Sequence, residues 1–396
     1  PITNRCKKIA LKIINSNVNI DKSEINDIFK NKSLTSLEKL TKLKKIWKVV
    51  KIESARTKAA KKIVKYVLPY ITSTFNIKNR IKYAKEIINY IADIKSSGET
   101  LQIIEKDKYE IANGKLKLLN CIGTPSLNGA IYTVKLLNNS KLYKVAAKIF
   151  RINKNNTSEI NILTILTDIV IQNKNPHFPI MYKNFKMIKQ NNKKNVNYPS
   201  VINNYDNFFY VNLNEEFTGD LKMFLRKKQT YEIYKNTLEQ VFIALLSFHK
   251  FTGLAHADAH WGNFLYHKIK PGGYIHYNIF NVDIYVENLG YLWIIWDYGY
   301  SNINDNKLVD FFRILNAFIY VYEGGWQTRK FYDADLMKLT LHIKDSFQYI
   351  KKNINYPSNK DLFNKIINDS QNINFLSNNK KPADVNIINL NNPYKI

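Results

Sequence analysis

Asp258, Asn263 and Asp297 are the residues of this chain whose types and spacing could do chemistry together. The first two lie in Gly253-Leu254-Ala255-His256-Ala257-Asp258-Ala259-His260-Trp261-Gly262-Asn263-Phe264-Leu265, on a turn from an apolar helix expected over Leu238 to Phe251 into a strand expected over Asn263 to Tyr266. Asp297 follows an apolar strand, Tyr291 to Trp296, in Trp296-Asp297-Tyr298-Gly299. Such a set suits phosphoryl transfer from ATP. Asp258 would sit by the attacking hydroxyl, while the Asn263 amide oxygen and the Asp297 carboxylate hold Mg²⁺ on the phosphates. Asp and Asn are also common turn formers, so either loop alone reads equally as punctuation.

Upstream stretches then occur in the order that would position this set. Ile122-Gly123-Thr124-Pro125-Ser126-Leu127-Asn128-Gly129-Ala130-Ile131-Tyr132 reads as a glycine-containing turn, and Thr133 to Asn139 with Lys141 to Phe150 as a hairpin ending Val145-Ala146-Ala147-Lys148. A helix with a Ser158 cap follows, with Glu159 able to reach Lys148. A strand, Phe208 to Glu216, runs into Phe217-Thr218-Gly219-Asp220-Leu221. His-x-Asp-x-x-x-x-Asn followed by Asp-x-Gly, with these stretches before it, resembles the protein-kinase-like superfamily. The resemblance implies an α+β fold of two lobes, with ATP and Mg²⁺ as cofactors. It implies that Gly123, Ser126 and Gly129 lie over the phosphates, that Lys148 contacts them and is held by Glu159, and that Glu216 and Phe217 form the hinge beside the nucleotide. By the same resemblance Asn263 and Asp297 bind the metal, and Asp258 is the base or hydroxyl-orienting group.

The chain also departs from that pattern. The glycine turn lacks its middle glycine near Ser126, and Glu159 is close in sequence to Lys148, so an exposed first-turn carboxylate is the other reading of Glu159. His260 stands where protein kinases usually carry Lys, as in the small-molecule and atypical branches. The segment from Gly299 to a helix expected near Asp305 is short and no Ala-Pro-Glu follows, so the usual peptide-docking activation segment is missing. His256 is expected to be structural. Asp310 and Arg313 on the following helix could anchor the Asp258 loop from beneath, or form an ordinary surface ion pair. The leading reading is a serine/threonine protein kinase of atypical type acting on protein hydroxyls; a small-molecule kinase and a scaffold with a vestigial nucleotide site remain beside it.

Composition bounds the rest. With 396 residues, 45% hydrophobic, the chain can bury a core and hold several units. Its net charge of +28 favours polyanionic partners, although heavy use of Lys, Asn and Ile also fits an AT-rich genome. The expected division is a basic all-helical N-terminal domain over 1–105, a small lobe over 106–217, a large helical lobe over 218–370 and an Asn-rich tail over 371–396. Helical periodicity recurs at Ile9 to Ile14, Glu24 to Lys30, Leu37 to Ile52, Ala55 to Ile71 and Asn79 to Ile94. The bases between Lys42 and Lys65 read as a solvated face or as a docking surface for nucleic acid or an acidic partner. Two cysteines, Cys6 and Cys121, give neither a metal constellation nor a disulfide framework, and no run is long enough to span a membrane. Pro1-Ile2-Thr3-Asn4-Arg5-Cys6 resembles the tail of a two-cysteine adaptor repeat of large DNA viruses, which implies a longer native chain, a place in the host cytoplasm and packaging in the virion. Gln190 to Asn204 reads as a surface loop, Pro271 to Gly290 as an insertion with strand at Val282 to Val286, and Leu376 to Ile396 as an extended tail.

Overall fold

Polar caps and alternating apolar runs set the elements of the computed structural model. It describes residues 25, 27–28, 31, 33–35, 37–48, 76–105, 108–126, 129–137, 144–188, 207–320, 322–323, 326–327, 334–352, 360–361, 381–383 and 386–396. The expected helices at Ile9 to Ile14 and Ala55 to Ile71, the Pro1 to Cys6 resemblance and the Gln190 to Asn204 loop lie outside the described residues. The chain divides into two compact units, Pro1–Ser73 and Thr74–Ile396.

In the first unit a helix covers 37–48. Thr35 and Glu38 cap it reciprocally: Thr35 N donates to Glu38 Oε2 at 2.8 Å and Glu38 N to Thr35 Oγ1 at 3.3 Å. Leu40 and Leu43 are buried, while Lys42, Lys44, Lys45 and Lys48 face solvent, as an amphipathic helix requires.

The larger unit begins before the expected boundary at residue 105. Helix α1 (Ile77–Tyr90), capped by Asn76, leads into strands β1 (Ser97–Thr100) and β2 (Gln102–Glu105), so residues 97–105 are extended rather than helical. Strands β3 (Lys108–Ile111), β4 (Leu116–Ser126), β5 (Gly129–Leu136), β6 (Val145–Arg151), β7 (Met181–Ile188) and β8 (Phe208–Glu215) complete an eight-stranded sheet of order β1-β7-β8-β6-β5-β4-β3-β2. Alternation places Tyr109, Leu118, Tyr132, Ala147, Ile149, Val211 and Leu213 in one apolar core. Helix α2 (Lys154–Ile171) follows β6. It starts at Asn153, whose side chain accepts from Asn156 N at 2.8 Å, and not at Ser158 as expected from the sequence. An Asn in extended conformation serves the free N–H groups as well as Ser does, and it comes first in the chain.

Beyond β8 the chain is mainly helical: β9 (Gly219–Asp220), α3 (Leu221–Leu225), α4 (Tyr231–Thr252), α5 (Lys307–Tyr320) and α6 (Ala334–Lys352). Helix α4 is buried nearly all round from Asn236 to His249, with the apolar run from Val241 to Leu246 at its centre and Glu239, Gln240, Ser247 and His249 buried beside it. Gly253 ends it at φ 73°, a left-handed cap that turns the chain toward the Asp258 loop. Strand β10 (Phe264–Lys268) pairs antiparallel with β13 (Tyr291–Ile295), Phe264 opposite Ile295. The insertion between them folds as a hairpin, β11 (Tyr274–Ile279) and β12 (Val282–Glu287). A short hairpin, β14 (Tyr322–Glu323) and β15 (Trp326–Gln327), follows α5. The end of the tail is not loose: β16 (Tyr394–Lys395) adds to β11 in parallel, and Tyr394 is buried against Tyr277.

Candidate functional site

Lys148 is an ammonium group taken out of water and given two carboxylates. It lies mid-strand on β6, 5% exposed, and its Nζ meets Glu159 Oε1 at 2.6 Å, Glu159 Oε2 at 2.9 Å and Asp297 Oδ1 at 3.6 Å. Burial alone pushes Lys148 down, but the two carboxylates outweigh it and hold it above the usual lysine range, so it stays charged. Burial pushes Glu159 up, Lys148 pulls it back and Asp297 raises it further. Glu159, 1% exposed, lies beyond the first turn of α2 because the helix starts at Asn153, which removes the reading of an exposed first-turn carboxylate. Gly129 belongs to the same spot. A Cβ there would meet Ile149 O at 3.2 Å and Lys148 Cε at 3.2 Å, so a bare backbone lets β5 lie across the Lys148 stem. Gly123 and Ser126 lie at the far end of β4, with Ser126 opposite Gly129, so the glycine turn is part of a hairpin.

The Asp258 loop is held from beneath. Asp310 on α5, fully buried, accepts from His256 N at 2.7 Å, Ala257 N at 3.0 Å and His249 Nε2 at 2.8 Å. Arg313 donates to the Ala257 carbonyl from the same helix. These contacts replace the surface ion-pair reading. Ala257 has φ 64°, a left-handed conformation that a non-glycine residue keeps only when its surroundings fix it. His256 Nε2 pairs with the Trp296 carbonyl at 2.9 Å, joining this loop to the one that carries Asp297. Burial holds His249 and His256 below the usual imidazole range. Asp258 stays a third exposed, and Asn263 Nδ2 donates to its carbonyl at 2.9 Å and to its Oδ2 at 3.3 Å. His260 Nδ1 accepts from Gly262 N at 3.0 Å, and its Nε2 lies 3.7 Å from Asp258 Oδ2.

The Asp297 turn is fixed with equal care. Asp297 itself has φ 64°, Trp296 N donates to the Asn263 carbonyl at 2.8 Å, and Tyr298 stacks on Phe248 at 5.1 Å. Asn263 and Asp297 therefore sit on neighbouring, hydrogen-bonded segments. With its amide nitrogen committed to Asp258, Asn263 has its oxygen left as an acceptor. An amide oxygen and a carboxylate are the hard donors that Mg²⁺ takes while keeping water and phosphate oxygens. The donor chemistry fits. Among the described residues no group of three or more His, Cys, Asp or Glu forms a metal cluster.

At the junction after β8, Glu216 N donates to the Lys144 carbonyl at 3.0 Å, and the Glu216 carboxylate is raised by partial burial against a distant Lys144. Phe217 packs inward between His267, 4.7 Å away, and Trp296, 6.0 Å away. Sequence reasoning missed the buried centre next to them. Glu215 pairs with Arg80 of α1 and with His267 of β10 at 2.9 Å, and Arg80 also donates to the Pro176 and Phe178 carbonyls. Arg80 lies 135 residues before Glu215, and its only local signal was an Arg on the apolar side of a helical repeat.

No family model and no curated protein matches the chain. Among solved structures it is similar to the BubR1 kinase domain, with a TM-score of 0.38 and 14% identity over 72% of this chain and 98% of that one.

Proposed function

We propose that the chain is an ATP- and Mg²⁺-dependent phosphotransferase of kinase-like, two-lobed fold, acting on serine or threonine hydroxyls of viral or host proteins. The observation that carries it is a buried lysine held between Glu159 and Asp297, with a second, accessible carboxylate, Asp258, on a loop bonded to the Asp297 turn. A buried ion pair is weak support for stability alone, since an apolar pair of similar volume would serve as well. A polyphosphate gives the arrangement a purpose: Lys148 neutralises phosphate oxygens, and Asn263 and Asp297 hold the metal.

In the transfer step the acceptor hydroxyl oxygen forms a bond to the γ-phosphorus, the bond from that phosphorus to the bridging oxygen breaks, and ADP leaves with the electron pair. The hydroxyl proton passes to a carboxylate oxygen of Asp258, which Asn263 orients. Mg²⁺, when bound, neutralises the phosphate charge that builds up on the way. The Pro1 to Cys6 resemblance and the Lys, Asn and Ile usage support a large DNA virus as source, with the protein in the host cytoplasm and carried in the virion. The basic N-terminal residues support contact with nucleic acid or an acidic partner.

A second reading, a small hydroxyl compound as acceptor, is favoured by His260 beside Asp258 and by the few residues between Gly299 and Lys307. Labelled ATP with Mg²⁺, offered in parallel to casein-like peptides and small alcohols, separates the two. Asp258→Asn should lower transfer by a factor of about 10²–10⁴ while Mg-ATP affinity stays within about twofold. Equal turnover in that variant would remove Asp258 from the chemistry.

A further inference from the structure

Three lysines from distant parts of the chain meet at one open cavity beside the end of α4. The cavity, of about 310 Å³, is lined by Lys250 of α4, by Asn278, Phe280 and Asn281 of the β11–β12 hairpin, by Lys360 and by Lys395 of β16. That volume is at the small end for ligand sites, which run from about 300 to 1,000 Å³. All three lysines are exposed, so a ligand can reach them from solvent. No acidic residue lines the space. Among the described residues none of the three makes an ion pair.

Backbone bonds fix the walls. Phe280 and Asn281, at φ 48° and 70°, form the two-residue turn that joins β11 to β12, with Ile279 paired to Val282. The turn is fastened to the end of the tail: Phe280 N donates to Ile396 O at 3.0 Å, and Ile396 N to the Asn278 carbonyl at 2.8 Å. Lys395 therefore stands opposite Asn278 in the β11–β16 pair. Asp283, on the next strand, accepts from Asn278 Nδ2 at 2.8 Å, pairs with His276 Nε2 at 3.1 Å and does not line the cavity. Lys250 alone has an ordinary reason for its place, since a cation complements the C-terminal end of a helix. That reason does not bring Lys360 and Lys395 to the same space, where three like charges repel one another.

We propose that this cavity binds a small ligand carrying two or more neighbouring phosphates, whose oxygens meet Lys250, Lys360 and Lys395. The site is separate from the nucleotide reading above and does not depend on it, since neither Lys148 nor Asp258 lines it. An ammonium group binds phosphate as a compact point charge, without the fixed fork that arginine imposes. Three of them around one hollow suit a compact polyanion, and a single carboxylate would leave most of the charge unmet. Nucleic acid is matched by a stripe of bases that follows its backbone, not by a hollow of this size. Phe280 and Ile396 supply the apolar part of the lining, against which a carbon skeleton between the phosphates can rest. Soluble inositol phosphates and the headgroup of a phosphoinositide lipid share this chemistry.

The experiment titrates the full chain with inositol trisphosphate and with tripolyphosphate by calorimetry, without Mg²⁺ and at about 0.15 M salt, where diffuse attraction is largely screened. One molecule should bind per chain. Lys250→Gln and Lys395→Gln should each weaken binding about tenfold, as the loss of one charge-assisted bond predicts, and the two together about a hundredfold. Lys395→Arg should keep the affinity within about threefold, and Lys148→Met with Glu159→Gln should leave it unchanged. Vesicles containing phosphatidylinositol bisphosphate separate the sources: capture by them, but not by vesicles of phosphatidylserine, identifies a lipid headgroup, and binding of the free compounds alone identifies a soluble ligand. Either result supports the site. No binding of either compound overturns the proposal, and so does binding that survives Lys250→Gln with Lys395→Gln. Equal weakening by Lys44→Gln with Lys45→Gln overturns it in favour of diffuse attraction to a basic chain, and loss in the Lys148 variant assigns the phosphates to the nucleotide site instead.

Discussion

Replacing Asp310 tests whether the Asp258 loop is held by a buried acceptor or merely packed. In Asp310→Asn the amide oxygen can keep the place of Oδ2, which serves His256 N and His249 Nε2 at 2.7 and 2.8 Å. The amide nitrogen then takes the place of Oδ1 and faces Ala257 N at 3.0 Å, donor against donor. One buried N–H loses its acceptor, a loss of about 2 kcal/mol. Asp310→Ala strips all three donors and costs about 4–6 kcal/mol by the same figure. At roughly 2–4 °C per kcal/mol for a domain of this order, the Asn variant should melt about 4–8 °C below the wild type and the Ala variant at least twice as far below. Release of the left-handed Ala257 offsets part of this, by no more than about 1–3 kcal/mol. Thermal unfolding followed by far-UV circular dichroism reads all three proteins. An Ala variant within about 2 °C of the wild type, or one that melts above the Asn variant, would refute the claim that Asp310 anchors the loop.

Lys148→Ala should lower both stability, by about 3–5 kcal/mol because Glu159 is left buried and unpaired, and Mg-ATP affinity. Lys148→Met combined with Glu159→Gln should regain most of the stability and none of the affinity, as read by thermal shift with and without Mg-ATP. Acid should unfold the protein in two overlapping ranges. Burial holds His177 down at about 4, so its contribution of about 3 kcal/mol is complete above pH 6.5 and lost as pH falls to 4. Burial would raise Glu215, but Arg80 and His267 bring it to about 2, so a similar contribution is complete above about pH 4.5 and lost toward pH 2. Urea midpoints at pH 7.5, 5 and 3 check this, and a midpoint unchanged between 7.5 and 5 would contradict the His177 part. Ser301 Oγ reaches the His256 carbonyl only at 3.4 Å, so Ser301→Ala and phosphatase treatment should both leave initial transfer rates within about twofold.

What was legible in the sequence follows from distance along the chain. Asp258 and Asn263 share one turn, Asp297 follows a strand that pairs back with the one starting just after Asn263, and Lys148 with Glu159 joins consecutive elements, so local spacing was enough to group them. Asp310 was legible too, since it begins the helix after the Asp297 turn. The start of α2 was misplaced because Asn153 and Ser158 are both competent caps, and only the fold decides between them. Residues 97–105 read as the end of a helical domain because β1 and β2 are four residues each, too short for alternation to register. Local sequence does not mark Asn212 and Asn214 as buried. Their burial comes from β6 and β7 on either side, a long-range effect.

Arg80 decides how the molecule can be cut. A recombinant piece starting near residue 106, the boundary expected from the sequence, would discard α1 and leave the buried Glu215 without its guanidinium, held by the Ile180 N–H and His267. The Pro176 and Phe178 carbonyls would lose their donor as well. Such a piece would carry its penalty beside the junction where Phe217 packs, and inactivity measured on it would report the cut and not the chemistry. Starting at Asn76 keeps the cap of α1, the guanidinium and the sheet edge together, and makes any assay of Lys148 or Asp258 interpretable.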